Sequence, residues 1–136
     1  MSLMDFLKFK PKLPVVLVVD DDLMLMEMYE AFMEGMNLEV IKVLDNRTTV
    51  AMAEKLQPDL LIMDISMPNI TGLEILAIIK AKPSTKNIPV LMITGEKTTG
   101  DVDTAFQLGA ADYVIKPVNR ATFEQKVRPL LPKLKP

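Results

Sequence analysis

Leu60-Leu61-Ile62-Met63-Asp64, continuing as Ile65-Ser66-Met67-Pro68, sets a lone carboxylate at the end of a bare apolar run. The same arrangement occurs earlier, where Val15-Val16-Leu17-Val18-Val19 stops at Asp20-Asp21-Asp22, and a later run, Val114-Ile115, closes on Lys116. Short apolar runs without polar alternation read as parallel strands buried on both faces. Their last residues then emerge together at one edge of a sheet, and acids gathered there with a lysine point to a site.

Outward from these runs, strand and helix patterns alternate. The first strand, 15–19, is followed by a helix over 23–36 with Leu25, Met28, Tyr29, Phe32 and Met36 on one face, ending near Gly35 and Asn37. A strand at 39–44 leads to a helix at 47–56, capped near Asn46 and stopped before Pro58. After the strand at 60–63, a helix over 71–82 turns Leu73, Leu76 and Ile79 inward and ends ahead of Pro83. A strand at 89–93, a polar loop to Asp101, a helix at 102–108, a strand at 112–115 and a helix at 119–131 complete the series.

This alternation predicts an α/β domain: a doubly wound (βα)5 unit with a five-stranded parallel sheet, helices on both faces and right-handed crossovers. With strand order 2-1-3-4-5, the point where strand order reverses lies between the first and third strands, and ligands bind there at the carboxyl ends. Asp20, Asp21 and Asp64 end those two strands. The expected organisation is an arm at 1–12, in which Met1-Ser2-Leu3 ahead of Met4 reads as a cloning remnant. A domain at 13–132 follows, then 133–136 as a tail or a cut linker.

Composition narrows the chemistry. A chain of 136 residues with 49% hydrophobic and 25% charged residues suits one packed domain and excludes a disordered chain. A net charge of -2 with lysines and acids interspersed gives no field to draw nucleic acid, so direct DNA contact by this domain is not expected. The absence of cysteine removes disulfides, zinc-thiolate sites and thiol nucleophiles, and the absence of histidine removes Ser-His hydrolysis and imidazole acid-base catalysis. Any histidine chemistry must come from a partner. Apolar stretches fall far short of the roughly 20 residues that span a bilayer, so no membrane association is expected and a cytoplasmic location is.

Three carboxylates converging at one edge repel one another unless a divalent cation or a neighbouring lysine joins them. The donors are all oxygen, which suits a hard ion, and Mg²⁺ is the first choice because one or two carboxylates and several waters suffice to hold it. Lys116 sets a positive charge opposite Asp64, and Thr94 ends the fourth strand with a hydroxyl. A carboxylate, a lysine, a hydroxyl and Mg²⁺ are the parts needed to form an aspartyl phosphate, with the protein supplying position and charge stabilisation.

VVLVVDDD at 15–22, LLIMDISMPNITGLEIL at 60–76, LMITGE at 91–96 and GAADYVIKPV at 109–118, together and in this order, resemble the receiver domain of two-component response regulators, the CheY-like family with a flavodoxin-like fold. The resemblance covers about residues 13–131. It implies that Asp64 is the phosphoacceptor. It also implies that Asp21 and Asp64 bind Mg²⁺ directly with the backbone carbonyl of Ser66, and that Asp20 joins through water. Lys116 would hold the phosphoryl group, and Thr94 and Tyr113 would be the switch hydroxyl and switch aromatic. The donor would be a phosphohistidine on a sensor histidine kinase or a histidine phosphotransfer protein, and the effector is left open. Such a domain is regulatory, not a metabolic enzyme, and catalyses only its own phosphorylation and dephosphorylation.

The enzyme-class alternative is a small Mg²⁺-dependent aspartyl-phosphate phosphatase or phosphotransferase, but the second acid it needs two residues after the nucleophile is Ser66 here. A flavodoxin-like cofactor binder would need a hydroxyl-rich loop after the first strand, where this chain is acidic. Met24 and Met26, with Met67 beside the site, are read as an apolar rim for a histidine-bearing partner; Asp22 is read as the cap of the first helix.

Overall fold

The computed structural model describes residues 2, 12–95 and 99–132. The strands are β1 Val15–Val19, β2 Glu39–Val43, β3 Leu60–Asp64, β4 Val90–Thr94 and β5 Asp112–Ile115. The α-helices are α1 Leu23–Phe32, α2 Thr49–Leu56, α3 Gly72–Ala81, α4 Thr99–Gln107 and α5 Arg120–Val127, with 3-10 turns at Asn46–Thr48 and Arg128–Leu130. All strand pairs are parallel and the order is β2-β1-β3-β4-β5, as the alternation predicts. β3 and β4 are buried at every residue, whereas the edge strands β2 and β5 are not, which is why the central runs are bare of polar residues.

Strand alternation divides the core into two layers. Leu17, Val19, Leu61, Met63, Val90 and Met92 pack on the α2–α3–α4 side. Val16, Val18, Leu60, Ile62, Leu91, Ile93 and Val114 pack on the other with Met26 and Tyr29 of α1 and Phe123 and Val127 of α5. Continuing the same period-2 alternation beyond the strand ends puts Asp20, Asp64 and Lys116 on the α1–α5 side, and Thr94 with Tyr113 on the opposite side.

Several boundaries differ from expectation. α1 stops at Phe32 because the chain turns through Gly35 at φ 85° and Asn37 at φ 55°; Met36 nevertheless folds back into the core. α2 is preceded by a 3-10 turn capped by Asp45, not by Asn46. α5 gives way to 3-10 geometry at Arg128, where Pro129 lacks the N–H that an α-turn would use. Strand four runs one residue further than expected, so Thr94 lies within β4. The expected arm, apart from Ser2 and Lys12, the tail at 133–136 and Glu96 of the LMITGE motif lie outside the described residues.

Candidate functional site

The carboxyl ends of β1, β3 and β5 meet in one open cleft of about 430 Å³, lined by Asp20, Asp21, Asp22, Leu25, Asp64, Ser66, Gly95 and Lys116. The sequence places these residues as much as 96 positions apart, and register brings them together: Val19 lies opposite Met63, and Asp64 opposite Ile93.

Asp64 is 4% exposed on the cleft floor. Its Oδ1 accepts the Ser66 N–H at 2.9 Å, and its Oδ2 is ion-paired with Lys116 Nζ. The carboxylate is thus held by a local loop bond on one oxygen and by a distant strand end on the other. The Lys116 N–H donates to the Thr94 carbonyl at 2.8 Å, which extends the β4–β5 ladder and fixes where the lysine leaves the sheet; the Lys116–Pro117 peptide is cis. Asp22 caps α1, its Oδ1 accepting from Met24 and Leu25 N–H groups, as expected.

Asp20 is 2% exposed, and its Oδ1 accepts the Asp22 N–H at 3.0 Å. Burial raises its pKa to about 6, and the charge of Asp64 and a hydrogen bond with Asp21 push the same way, against the lowering effects of the Asp22 N–H and Lys116. Its Oδ2 is buried and, among the described residues, has no hydrogen-bond partner. Asp21 is exposed at the cleft mouth. A hard cation fits this donor set: oxygens only, one of them buried and unsatisfied, beside an exposed carboxylate. Among the described residues no three acidic side chains come close enough to enclose a metal ion by themselves.

Thr94 is fully buried at the end of β4, two residues along from Met92, the register partner of Tyr113. Tyr113 is half-buried away from the cleft, with the edge of Phe106 at 5.7 Å between centroids and Lys126 Nζ 5.6 Å from its ring. Asp112 holds Lys126 by two contacts of 3.0 Å. The two expected switch residues therefore lie on the same side of the sheet, outside the acid cleft.

Two corrections concern methionines. Met26 is 0% exposed and belongs to the α1–α5 core, and Met67, at 8%, packs in the opposite layer. Only Met24, 80% exposed, is available at the surface, next to Leu23 at 45%, so a three-methionine rim does not exist.

Two supporting residues went unnoticed in the sequence. Asn46, read as a cap, is buried and its Nδ2 donates to the carbonyls of Pro68 and Ile70 at 2.7 Å each, clamping the loop that follows Asp64. Gly72 donates its N–H to the Ile65 carbonyl at 2.8 Å, and a Cβ there would lie 2.1 Å from the Asp64 carbonyl oxygen. A glycine as the first residue of a helix, where it has no propensity advantage, was the available signal of that close approach.

The profile of the response regulator receiver domain matches residues 16–128. Response regulator PleD of Caulobacter vibrioides is 33% identical over 115 residues, covering 85% of this chain and 25% of PleD. DNA-binding response regulator MtrA of Mycobacterium tuberculosis is 29% identical over 113 residues, 83% of this chain and 48% of MtrA. The chain thus spans between a quarter and about half of the length of these relatives. Among solved structures, chemotaxis response regulator CheY4 of Vibrio cholerae superposes with a TM-score of 0.80 at 28% identity, over 88% of this chain and 100% of CheY4. The motif order, the β2-β1-β3-β4-β5 sheet and the acid cleft at its switch point agree with that match, and the chain belongs to the receiver domain family of two-component response regulators.

Proposed function

We propose that Asp64 is the phosphoacceptor of this receiver, taking a phosphoryl group from a phosphohistidine on a sensor histidine kinase or a histidine phosphotransfer protein. The observation that carries this reading is the buried Asp64 carboxylate, positioned by the Ser66 N–H and paired with Lys116 on the floor of an open cleft. One Asp64 oxygen forms the new O–P bond as the donor's N–P bond breaks, and Lys116, already within reach of Oδ2, binds a phosphoryl oxygen. Asp21, Asp64 and the Ser66 carbonyl would hold Mg²⁺, with Asp20 joining through water. Bound there, the ion would supply charge neutralisation for the incoming phosphoryl group.

Thr94 and Tyr113 then report the event. A new dianionic group draws the Thr94 hydroxyl toward the cleft, the space it leaves admits the Tyr113 ring, and the face built by α4, β5 and α5 changes. Only a ligand or modification that interacts differently with two states can shift their balance, and the added charge beside Lys116 does so. The unit at 13–132 performs this as a regulatory domain in the cytoplasm, with its effector bound through that face, and without direct contact to nucleic acid or membrane.

Intact-mass measurement after incubation with acetyl phosphate and Mg²⁺ tests this. A single labile phosphoryl adduct is expected on the wild-type chain and none on Asp64→Asn. Full labelling of Asp64→Asn would refute the assignment.

A further inference from the structure

Among the described residues, two buried side-chain polar atoms lack a hydrogen-bond partner: Asp20 Oδ2 and the Tyr29 hydroxyl. One is an acceptor and the other a donor. Both belong to the α1–α5 side of the sheet, Tyr29 through its cluster and Asp20 through strand alternation. Tyr29 is 1% exposed, and its ring stacks on Phe123 at 5.5 Å and 7°. A phenylalanine would stack equally well, so packing gives no account of the hydroxyl.

Helix geometry directs that hydroxyl toward the acid cleft. Side chains of an α-helix lean toward its N-terminus, and the N-terminus of α1 is capped by Asp22 at the cleft. Leu25, one turn before Tyr29 on the same helix face, lines the cleft, so the tyrosine follows one turn further along α1 from a residue of its wall. Burial pushes the phenol above the ordinary tyrosine range, and Asp20, Asp64 and Asp22 add to the same effect, as expected of a hydroxyl that faces them from below.

We propose that Tyr29 is a positioning residue of the acid cleft, whose buried hydroxyl donates to one enclosed water that in turn donates to Asp20 Oδ2, and so orients Asp20 toward the metal shell. Groups that hydrogen-bond metal-facing carboxylates from behind fix their orientation, and their loss weakens metal binding. This inference rests on the reading of the cleft as a Mg²⁺ site.

The chain contains two tyrosines and no tryptophan, so Tyr113→Phe leaves Tyr29 as the sole tyrosine, excited selectively at wavelengths beyond phenylalanine absorption. In that background, Mg²⁺ is expected to change Tyr29 emission along a saturable curve with the dissociation constant that calorimetry gives, and Asp20→Asn to abolish the change. Tyr29→Phe, which keeps the ring, is expected to weaken Mg²⁺ binding about tenfold by calorimetry. Either unmoved Tyr29 emission or an unchanged affinity of Tyr29→Phe overturns the role of the hydroxyl while leaving the metal site standing. Absence of Mg²⁺ binding by the wild-type chain overturns the metal site itself, and this inference with it.

Discussion

At the scale of single residues, the acid cleft is built from groups whose neighbours hold them in place. Gly72 is the most constrained. Any side chain there meets the Asp64 carbonyl and the Ile65 Cα, both backbone atoms that cannot swing aside. Gly72→Ala is therefore expected to destabilise the fold by about 2 kcal/mol or more in urea unfolding, the range for forced overpacking, and to slow phosphorylation by displacing Asp64. Asp20 gives a pH signature. Its folded pKa, near 6, lies above the unfolded value of 3.8, so between these values the native state holds the proton more tightly than the unfolded chain. Its contribution is present below the lower value and is lost as pH rises through the upper one. The loss is of the order of 3 kcal/mol, and it applies to protein kept free of divalent cations. Chemical unfolding from pH 4 to 7 in a chelating buffer should show this fall in the wild-type chain, and Asp20→Asn should lack that component.

At the scale of elements, α1 shows where sequence reading succeeds and where it fails. Asp22 was legible as a cap, because an acid just ahead of a helical stretch has one common use. The inward face was only partly legible: LMLMEMYEAF is apolar nearly all round, so periodicity does not select Met26 over Leu25 or Met28. Packing decides it, with Met26 enclosed and Met24 in solvent. Met26→Gln should accordingly cost about 3 kcal/mol of stability, whereas Met24→Gln should stay within about 0.5 kcal/mol of wild type, as thermal and urea unfolding will show. The loop after β3 repeats the lesson. Asp64 and Lys116 were legible because each stands at the end of an apolar run, and Ser66 only through the family resemblance. The role of Asn46 was not, because its partners are backbone carbonyls 22 and 24 residues away, and nothing local in the sequence records them.

At the scale of the whole molecule, function follows from topology more than from any one motif. A parallel sheet of order β2-β1-β3-β4-β5 sets the ends of β1 and β3 side by side at the point where strand order reverses, and β5 brings Lys116 to the same edge. The two packed layers, one facing α1 and α5 and the other facing α2, α3 and α4, give the acids and the Thr94–Tyr113 pair opposite sides of one sheet. On the proposed function, a charge added at Asp64 acts on the α4–β5–α5 surface through β4 and β5. No helix among the described residues is long and apolar enough to cross a membrane. On the proposed function, Asp64 and no other acid of the cleft receives the phosphoryl group. Borohydride reduction of the acetyl phosphate-treated chain converts an aspartyl phosphate into homoserine, which peptide mass spectrometry can place. Homoserine is expected at residue 64 alone and dependent on Mg²⁺; homoserine at residue 20 or 21 instead, or none under conditions that label the chain, would refute Asp64 as the acceptor.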